Sequence, residues 1–328
     1  MIDTTTNENG AEYGDVIHVT YVFDTSSIRA IRFADLSFAA QTTNLAISPI
    51  TIFELLSHLD EEEKVKNFKS TTFDYFKVNL RKCQIPRLLD DPWAEQANDV
   101  GAKNVVNPSR FEDSVVLPQL ISKLESSQTL EDFYRRRVTF PNGDVGDIIG
   151  LPVRVRDLLN EEETKYRIHV TKLCQTMLDN FSFNDIQRFT PADFVRIVAH
   201  AVNGLARRYE ETLNKTDQID ITGPVFSVYY PYFGYGAARA IEYLSNANGV
   251  ISRLNIDPND MEDSAICAHL RLTEKRILVT DDGGTRDALK DSLQNLHSVS
   301  ETLNQPVVAL TEVINTDEFK RRTIPEHH

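Results

Sequence analysis

Residues 16–23 restrict the fold more than any other stretch, because they form a short run of β-branched and aromatic residues that ends in one carboxylate, Asp24. Such a run is typical of a buried parallel strand. Three hydroxyl residues follow, Thr25, Ser26 and Ser27, and they predict a turn into a helix. Ligands of open α/β sheets bind at the carboxyl ends of the strands. Asp24 is therefore predicted to lie at a ligand-binding edge.

Strand and helix patterns then alternate at both ends of the chain, which predicts an α/β fold with a central parallel sheet and right-handed crossovers. The predicted strands are residues 16–23, 44–48, 276–280 and 306–310. The predicted helices between and after them are residues 26–38, the helix that begins at Ser48-Pro49, residues 261–272 and residues 285–296.

The middle of the chain has a different character, because helical periodicity dominates and proline and glycine interrupt it. Its clearest predicted helices are residues 129–137, 160–180 and 190–213. We therefore predict a disordered N-terminus at 1–15, an α/β domain in two parts at 16–59 and 251–328, and a mainly helical insertion at 60–250.

The composition excludes several classes of protein. The chain has 328 residues and a net charge of −14, so a broad basic surface for nucleic acid is not expected. Three distant cysteines, Cys83, Cys174 and Cys267, argue against a disulfide framework and suit a reducing cytosol, and a cytoplasmic location is predicted. No secretory signal is visible, and the Tyr-rich stretch at 221–238 is interrupted by Gly and Pro, which favours a buried segment over a membrane span.

The helix that begins at Ser48-Pro49 has a strong start signal, with Ser as the N-cap and Pro in the first turn. Its apolar residues form a stripe at helical spacing, namely Ile52, Leu55, Leu56 and Leu59. Glu54 lies off that stripe. Its carboxylate is therefore free to face something other than the core.

More acidic residues occur late in the chain. Asp263 opens a predicted helix, and Asp281 and Asp282 follow the strand at 276–280. Carboxylates that are forced together repel one another unless a cation neutralises them, and Mg²⁺ prefers oxygen ligands. The pattern predicts one divalent-metal site that orients a phosphodiester and activates water. The hydroxyls of Thr25 and Ser26 could donate to a substrate phosphate or to the ligand carboxylates.

This ordered set of motifs resembles the PIN-domain nucleases, a family that includes bacterial toxin endoribonucleases. The resemblance covers roughly residues 16–59 and 255–315, so the two α/β parts would form a PIN-like domain. It implies a Mg²⁺ or Mn²⁺ site of four catalytic carboxylates, Asp24, Glu54, Asp263 and Asp282, with Asp281 as an additional candidate ligand. The chain departs from the family by its long insertion and by Gly283-Gly284 after the last acid, where many members carry Asp-Phe.

The resemblance also implies substrate and partners. RNA is the expected substrate, with single-stranded DNA as the alternative, and cleavage would be endonucleolytic and selective for single strands. If the protein is a toxin, the family implies an inhibitory protein partner that occludes the acidic pocket with an Arg or Lys, and it implies homodimers. No membrane association is expected. A catalytically silent PIN-like scaffold that binds protein or RNA is the competing hypothesis.

Each acid also has a simpler interpretation, as a helix cap, a turn residue or a solvated side chain. The haloacid dehalogenase type of phosphatase needs a second Asp two residues after the first, where this chain has Ser26. For Asp260 an N-cap role is favoured, and His269 is left unassigned. Five arginines could contact a phosphate backbone, but a solvated or ion-paired face is favoured: Arg135, Arg136, Arg137, Arg154, Arg156. Five aromatic residues could stack on bases, but a core or interface role is favoured: Tyr229, Tyr230, Tyr232, Phe233, Tyr235.

Overall fold

The computed structural model describes residues 19–57, 87–101, 119–120, 122–123, 126–128, 130–139, 143–209, 223–303 and 309–325. The predicted disordered N-terminus at 1–15 and most of the strand predicted at 306–310 lie outside these ranges. So do Cys83, Leu59 and the first residues of the strand predicted at 16–23.

The centre of the fold is a parallel sheet of five strands, as the α/β alternation predicted. The strands of the sheet are β1 (Thr20–Phe23), β2 (Asn44–Ile47), β3 (Arg87–Leu88), β6 (Arg276–Val279) and β7 (Glu312–Ile314), and a separate antiparallel pair is formed by β4 (Arg137–Thr139) and β5 (Val145–Asp147). The spatial order in the sheet is β3-β2-β1-β6-β7. Strand β1 is therefore central, with Phe23 in register with Ile47 on one side and Val279 on the other.

The described helices pack on this sheet or on one another. They are α1 (Thr25–Ala30), α2 (Phe33–Ala39), α3 (Pro49–Ser57), α4 (Pro92–Asp99), α5 (Leu130–Tyr134), α6 (Leu151–Asn180), α7 (Phe183–Ile186), α8 (Pro191–Tyr209), α9 (Pro224–Asn246), α10 (Asp260–Cys267), α11 (Gly283–Leu303) and α12 (Thr316–Thr323). Helix α3 begins where the Ser-Pro signal predicted, and the Ile50 N–H donates to Ser48 Oγ at 3.3 Å.

Two predicted elements differ from the structure for identifiable reasons. The single helix predicted at 26–38 is divided into α1 and α2, because Ile31 is extended and buries its side chain in the core. The last strand begins at Glu312 because the segment before it bonds elsewhere: the Leu310 N–H donates to Leu272 O at 2.7 Å, and the Thr311 hydroxyl donates to Arg271 O.

Several predicted helix ends also move. The helix predicted at 129–137 stops at Tyr134 because β4 starts three residues later, and the helix predicted at 261–272 stops at Cys267. The helix predicted at 160–180 begins earlier, at Leu151, and the helix predicted at 285–296 continues to Leu303. Apolar periodicity locates the middle of a helix well and its ends poorly.

The core covers both faces of the sheet. Successive side chains of a strand point to opposite faces, and Tyr21, Val22 and Phe23 are all buried. On one face, Phe319 of α12 packs edge-on against Tyr21 and Phe23, with ring centroids 5.0 and 5.1 Å apart. Burial on both faces is the condition under which a short all-parallel sheet is stable. The architecture is therefore layered, with the sheet between helices.

The segment predicted as an insertion packs directly on this core. Its residues Arg87–Leu88 form the edge strand β3 beside β2, a strand too short for periodicity to reveal. Tyr235 of α9 is fully buried in the same apolar cluster as β1. The described part of residues 60–250 is mainly helical, as predicted, and it contributes to the central domain.

Candidate functional site

The candidate site lies where the order of the strands reverses. From β1 the chain proceeds to β2 and β3 on one side, whereas β6 and β7 extend the sheet on the other. The crevice outside the carboxyl ends of β1 and β6 is thus a topological switch point, the usual ligand position in open α/β sheets. Asp24 follows β1 and Asp282 follows β6, so the two acids lie at this crevice.

Asp24 is held by a dense set of donors. Its side chain caps α1 by accepting from the Ser27 N–H at 2.8 Å, and it accepts from Ser26 Oγ at 2.8 Å. Thr280 Oγ1, from the end of β6, donates to Asp24 Oδ2 at 2.5 Å. The side chain is 4% exposed. Burial raises the pKa of Asp24, and the hydrogen bonds from Thr280, Ser27 and Ser26 oppose that rise.

Glu54 faces the same crevice from α3 and is joined by an acid that the sequence analysis missed. Its carboxylate accepts from the Thr25 hydroxyl and shares a hydrogen bond with Glu262 of α10. Burial raises the pKa of both carboxyls, and the negative charge of Glu54 raises the pKa of Glu262 further. A hydrogen bond between two carboxyl groups needs a proton, so the two side chains share one. Only its position beside Asp263 in the first turn of α10 could have drawn attention to Glu262.

Asp263 connects α10 to α11. Its carboxylate accepts from the Thr285 hydroxyl and is only partly exposed. Burial raises the pKa of Asp263 well above its usual range, and the negative charges of Asp24 and Asp282 raise it further. Asp282 is exposed and caps α11 by accepting from the Thr285 N–H at 2.7 Å.

The two adjacent acids after β6 are separated by the fold. Asp281 turns away from the crevice, because its carboxylate accepts from the N–H of Thr316 at 3.0 Å and from the hydroxyl of the same residue. Asp281 thus fixes the start of α12. Asp282, the better match to the acidic motif, is the residue whose charge acts on Asp263.

The four predicted acids and a fifth, Glu262, lie close enough for their charges to affect one another's pKa values. Their electrostatic coupling forms a chain, from Glu54 to Asp24, from Asp24 to Asp263 and from Asp263 to Asp282. Within the part of the chain that the structure describes, no group of three or more His, Cys, Asp or Glu side chains is arranged to hold a metal ion as it stands. Individual hydroxyl groups instead donate to Asp24, Glu54 and Asp263.

The donor chemistry of the cluster nevertheless fits a hard divalent cation. All the candidate ligands are carboxylate oxygens, which Mg²⁺ and Mn²⁺ favour. Burial is the main cause of the raised pKa values of Asp24, Glu54 and Asp263, and a neighbouring carboxylate adds to the rise for Glu54 and Asp263.

The hydroxyls that the sequence proposed as phosphate donors have another role here. Thr25 donates to Glu54, and Ser26 donates to Asp24 while accepting from the Asp281 N–H at 3.0 Å. The sequence analysis gave these hydroxyls two possible acceptors, a substrate phosphate or the ligand carboxylates. In the structure, Thr25 and Ser26 donate to the carboxylates. Thr280 and Thr285, which were not singled out, perform the same role from the other side of the crevice.

A buried cation borders the acids. Arg239 of α9 is 7% exposed and donates from Nε to both carboxylate oxygens of Asp260, at 3.1 and 2.9 Å. The hydroxyls of Tyr235 and Tyr243 donate to the same carboxylate. The predicted N-cap role of Asp260 is thus wrong, since Asn259 occupies the cap position and Asp260 is 2% exposed. A buried guanidinium requires a buried counter-charge, and Asp260 supplies it.

His269 lies outside the crevice and contacts the residue that precedes α3. Its ring contacts Ser48 Oγ at 2.9 Å and Glu95 of α4 at 2.7 Å. Serine, histidine and glutamate in this order resemble a hydrolase triad, but Ser48 and His269 are each 0% exposed, so substrate has no access to the serine. Ser48 precedes α3, so His269 helps to fix the helix that carries Glu54.

Three of the candidate arginines and three of the candidate tyrosines take the structural roles that the sequence analysis favoured. Arg135, Arg136 and Arg137 form ion pairs with Glu131, Asp132 and Asp147, respectively. Arg156 donates to Ser57 O at 2.5 Å, at the end of α3, and the side chain of Arg154 lies outside the described residues. Tyr229, Tyr230 and Tyr235 are core residues, while Tyr232 packs edge-on against Trp93 with ring centroids 4.8 Å apart.

The fold and the site together define a parallel α/β protein with an acidic cluster at its switch point. No family model, curated protein or solved structure gives a significant match to this chain. Among the described residues, no helix combines the length and the apolar character needed to cross a membrane.

Cys174 and Cys267 are buried free thiols.

Proposed function

We propose that this chain is a PIN-like, Mg²⁺- or Mn²⁺-dependent phosphodiester hydrolase that acts as an endoribonuclease on single strands. The observation that supports this proposal is the meeting of acids from β1, α3, α10 and the end of β6 at one crevice, although they are far apart in sequence. Such a concentration of buried carboxylates costs stability, and it is most readily explained by a function that needs them.

Asp24, Glu54, Asp263 and Asp282 are the residues that would hold the metal. A bound Mg²⁺ or Mn²⁺ would supply the charge that neutralises them and would polarise the phosphodiester and an attacking water. Thr280 and Ser26 hold the Asp24 carboxylate in one orientation through their hydrogen bonds. Glu262 shares its proton with Glu54 and so reduces the repulsion within the cluster.

The wider context belongs to the same proposal. We propose a cytoplasmic role as a toxin-like or defence nuclease. Because the protein has a net charge of −14, RNA would be attacked through bound cations. In that role an inhibitory protein would block the acidic crevice with an Arg or Lys. Single-stranded DNA is the alternative substrate, and a homodimer is the expected assembly.

One observation favours a second candidate, a catalytically silent PIN-like scaffold. The acids already find partners within the chain, since Thr25, Thr280 and Thr285 donate to Glu54, Asp24 and Asp263, respectively. A cluster that is satisfied by hydroxyl groups can persist without a metal. Metal titration separates the two candidates, because the scaffold has no need to bind Mn²⁺.

The decisive experiment compares Asp24→Asn with Asp281→Asn. Both variants remove one acid near the end of a central strand, but only Asp24 belongs to the cluster. Purified protein is incubated with total RNA, tRNA and single-stranded DNA, with Mn²⁺ or with EDTA. We expect Mn²⁺-dependent cleavage of RNA that Asp24→Asn abolishes and Asp281→Asn retains. Equal cleavage by wild type and Asp24→Asn would refute the proposal.

A further inference from the structure

A second feature capable of binding a ligand is a groove of about 590 Å³ among the helices. It lies between the turn that joins α7 to α8, the middle of α9 and the middle of α11. Its volume is within the range of sites that bind small molecules, and a nucleoside fits such a volume. None of the acids of the crevice lines it.

The groove combines an apolar floor with a polar rim. Phe189 and Ile241 are partly exposed on its floor, beside the buried Phe194. Asn295 and Asp291 of α11 provide an amide and a carboxylate along one side. An aromatic ring in an apolar surface, beside a few hydrogen-bonding groups, is a combination that holds a nucleic-acid base by stacking and by its edge.

A cation completes the groove. Arg188 lies on its rim and is exposed, and within the described part of the chain no carboxylate forms an ion pair with its guanidinium. This differs from Arg135, Arg136 and Arg137, each of which has an acidic partner. An exposed arginine without an ion-pair partner, beside an apolar floor, is suited to a phosphate linked to a stacked base.

The groove and the acidic crevice are bordered by the same two helices. On α9, Ala238 lines the groove and the next residue, Arg239, borders the acids. On α11, Gly284 lies beside Asp282, whereas Asp291 lies in the groove. Gly284 and Asp291 are about 10 Å apart along the helix axis. That distance corresponds to one or two nucleotides of an extended single strand, so a strand held at the crevice would reach the groove.

We propose that this groove binds one nucleotide of a single-stranded RNA, next to the phosphodiester at the acidic crevice. The base rests on Phe189 and Ile241, Asn295 and Asp291 read its edge, and Arg188 holds the adjoining phosphate. The inference rests on the proposed function and adds to it a subsite that selects the sequence. The walls are helices, so the groove offers no strand edge to an extended peptide. Arg188 is the cation of the groove lining and Asp291 is its acid, so the phosphate is assigned to Arg188 and the edge of the base to Asp291.

Equilibrium binding tests the subsite without relying on cleavage. Full-length Asp24→Asn protein, in EDTA, is titrated with a fluorescent single-stranded RNA, and Arg188→Ala is added in that background. Arg321→Ala is the matched control, because Arg321 is an exposed arginine on α12, away from the groove. We expect Arg188→Ala to weaken binding roughly fivefold and to lower the slope of log K against log salt by about 0.7, the loss of one phosphate contact on a single strand.

Selectivity for the base is tested with Asn295→Ala and four oligonucleotides that differ at one position. The parent should prefer one base, and the variant should lose that preference while the control variant keeps it. The subsite proposal is overturned if Arg188→Ala binds RNA as the parent does, if both arginine variants weaken binding equally, or if the parent binds no RNA. A groove that serves a protein partner would give the first of these results.

The two proposals fail in different ways. If wild type cleaves RNA and Arg188→Ala has no effect on binding or on kcat/KM, the nuclease stands and the subsite falls. If RNA binding depends on Arg188 but no preparation cleaves RNA with Mn²⁺, the subsite stands and the nuclease falls.

Discussion

Thr280 joins the ends of the two central strands by donating a hydrogen bond of 2.5 Å from Oγ1 to Oδ2 of Asp24. The same hydroxyl accepts from the Asp282 N–H at 3.0 Å. One buried threonine therefore fixes the first acid of the cluster and the loop that carries the last. Asp24 and Thr280 are 256 positions apart in the chain, and the parallel pairing of β1 with β6 makes them neighbours.

Removal of this hydroxyl should destabilise the protein. Thr280→Val keeps the shape of the side chain but leaves the buried Asp24 carboxylate with one donor fewer. We expect a loss of about 1–3 kcal/mol in the free energy of unfolding, measured by urea denaturation. Thr280→Ser keeps the hydroxyl and should remain close to wild type. A Thr280→Val protein as stable as wild type would mean that the hydrogen bond contributes nothing.

Stability should fall as the pH rises. Burial raises the folded-state pKa of Asp24, Glu54, Glu262 and Asp263 above the values of the unfolded chain. The folded protein therefore holds more protons than the unfolded chain above about pH 4, and stability decreases from there up to the raised folded pKa values. Thermal unfolding between pH 5 and about pH 9 in EDTA measures this decrease.

Glu262→Gln isolates one member of that set. The amide cannot ionise, yet it can still donate to Glu54, so the variant should lose less stability over the same pH range. The difference should be at least about 1.4 kcal/mol, which corresponds to one pKa unit. Glu274→Gln, an exposed glutamate after α10, is the matched control. Parallel stability curves for wild type and Glu262→Gln would contradict a shared proton.

Divalent metal should reverse the electrostatic cost. A metal that binds only the folded protein adds about 2.7 kcal/mol of stability at a concentration 100 times its Kd. We expect Mn²⁺ to raise the Tm of wild type at pH 8 and to leave the Tm of Asp24→Asn unchanged. Calorimetric titration of both proteins gives the Kd directly. If Mn²⁺ changes the Tm of both proteins equally, it does not bind through Asp24.

Asp260 should matter for stability more than for metal binding. Asp260→Asn removes the buried charged partner of Arg239 and leaves its guanidinium only the half-exposed Glu242, and removal of one member of a buried pair typically costs about 3–5 kcal/mol. Asp257→Asn, an exposed acid just before α10, should cost far less. Urea denaturation measures both. If Asp260→Asn folds with wild-type stability but binds Mn²⁺ more weakly, then Asp260 is a metal ligand.

Local patterns along the chain determined much of this protein. The β-branched run before Asp24 predicted the central strand, the Ser48-Pro49 pair predicted the start of α3, and the strand–helix alternation predicted a parallel sheet. These signals depend on the preferences of neighbouring residues, so they can be read without the fold. Because parallel strands align their carboxyl ends, the same local signals also predicted that Asp24 and Asp282 would lie at one edge of the sheet.

Only the tertiary structure decided which side chains meet at that edge. It turned Asp281 toward Thr316, brought Glu262 to Glu54, and paired Asp260 with Arg239 in the interior. It also added β3, whose two residues are too few to show periodicity. These outcomes depend on contacts between distant segments, where burial and the available hydrogen-bond donors select one orientation from several that the local sequence permits.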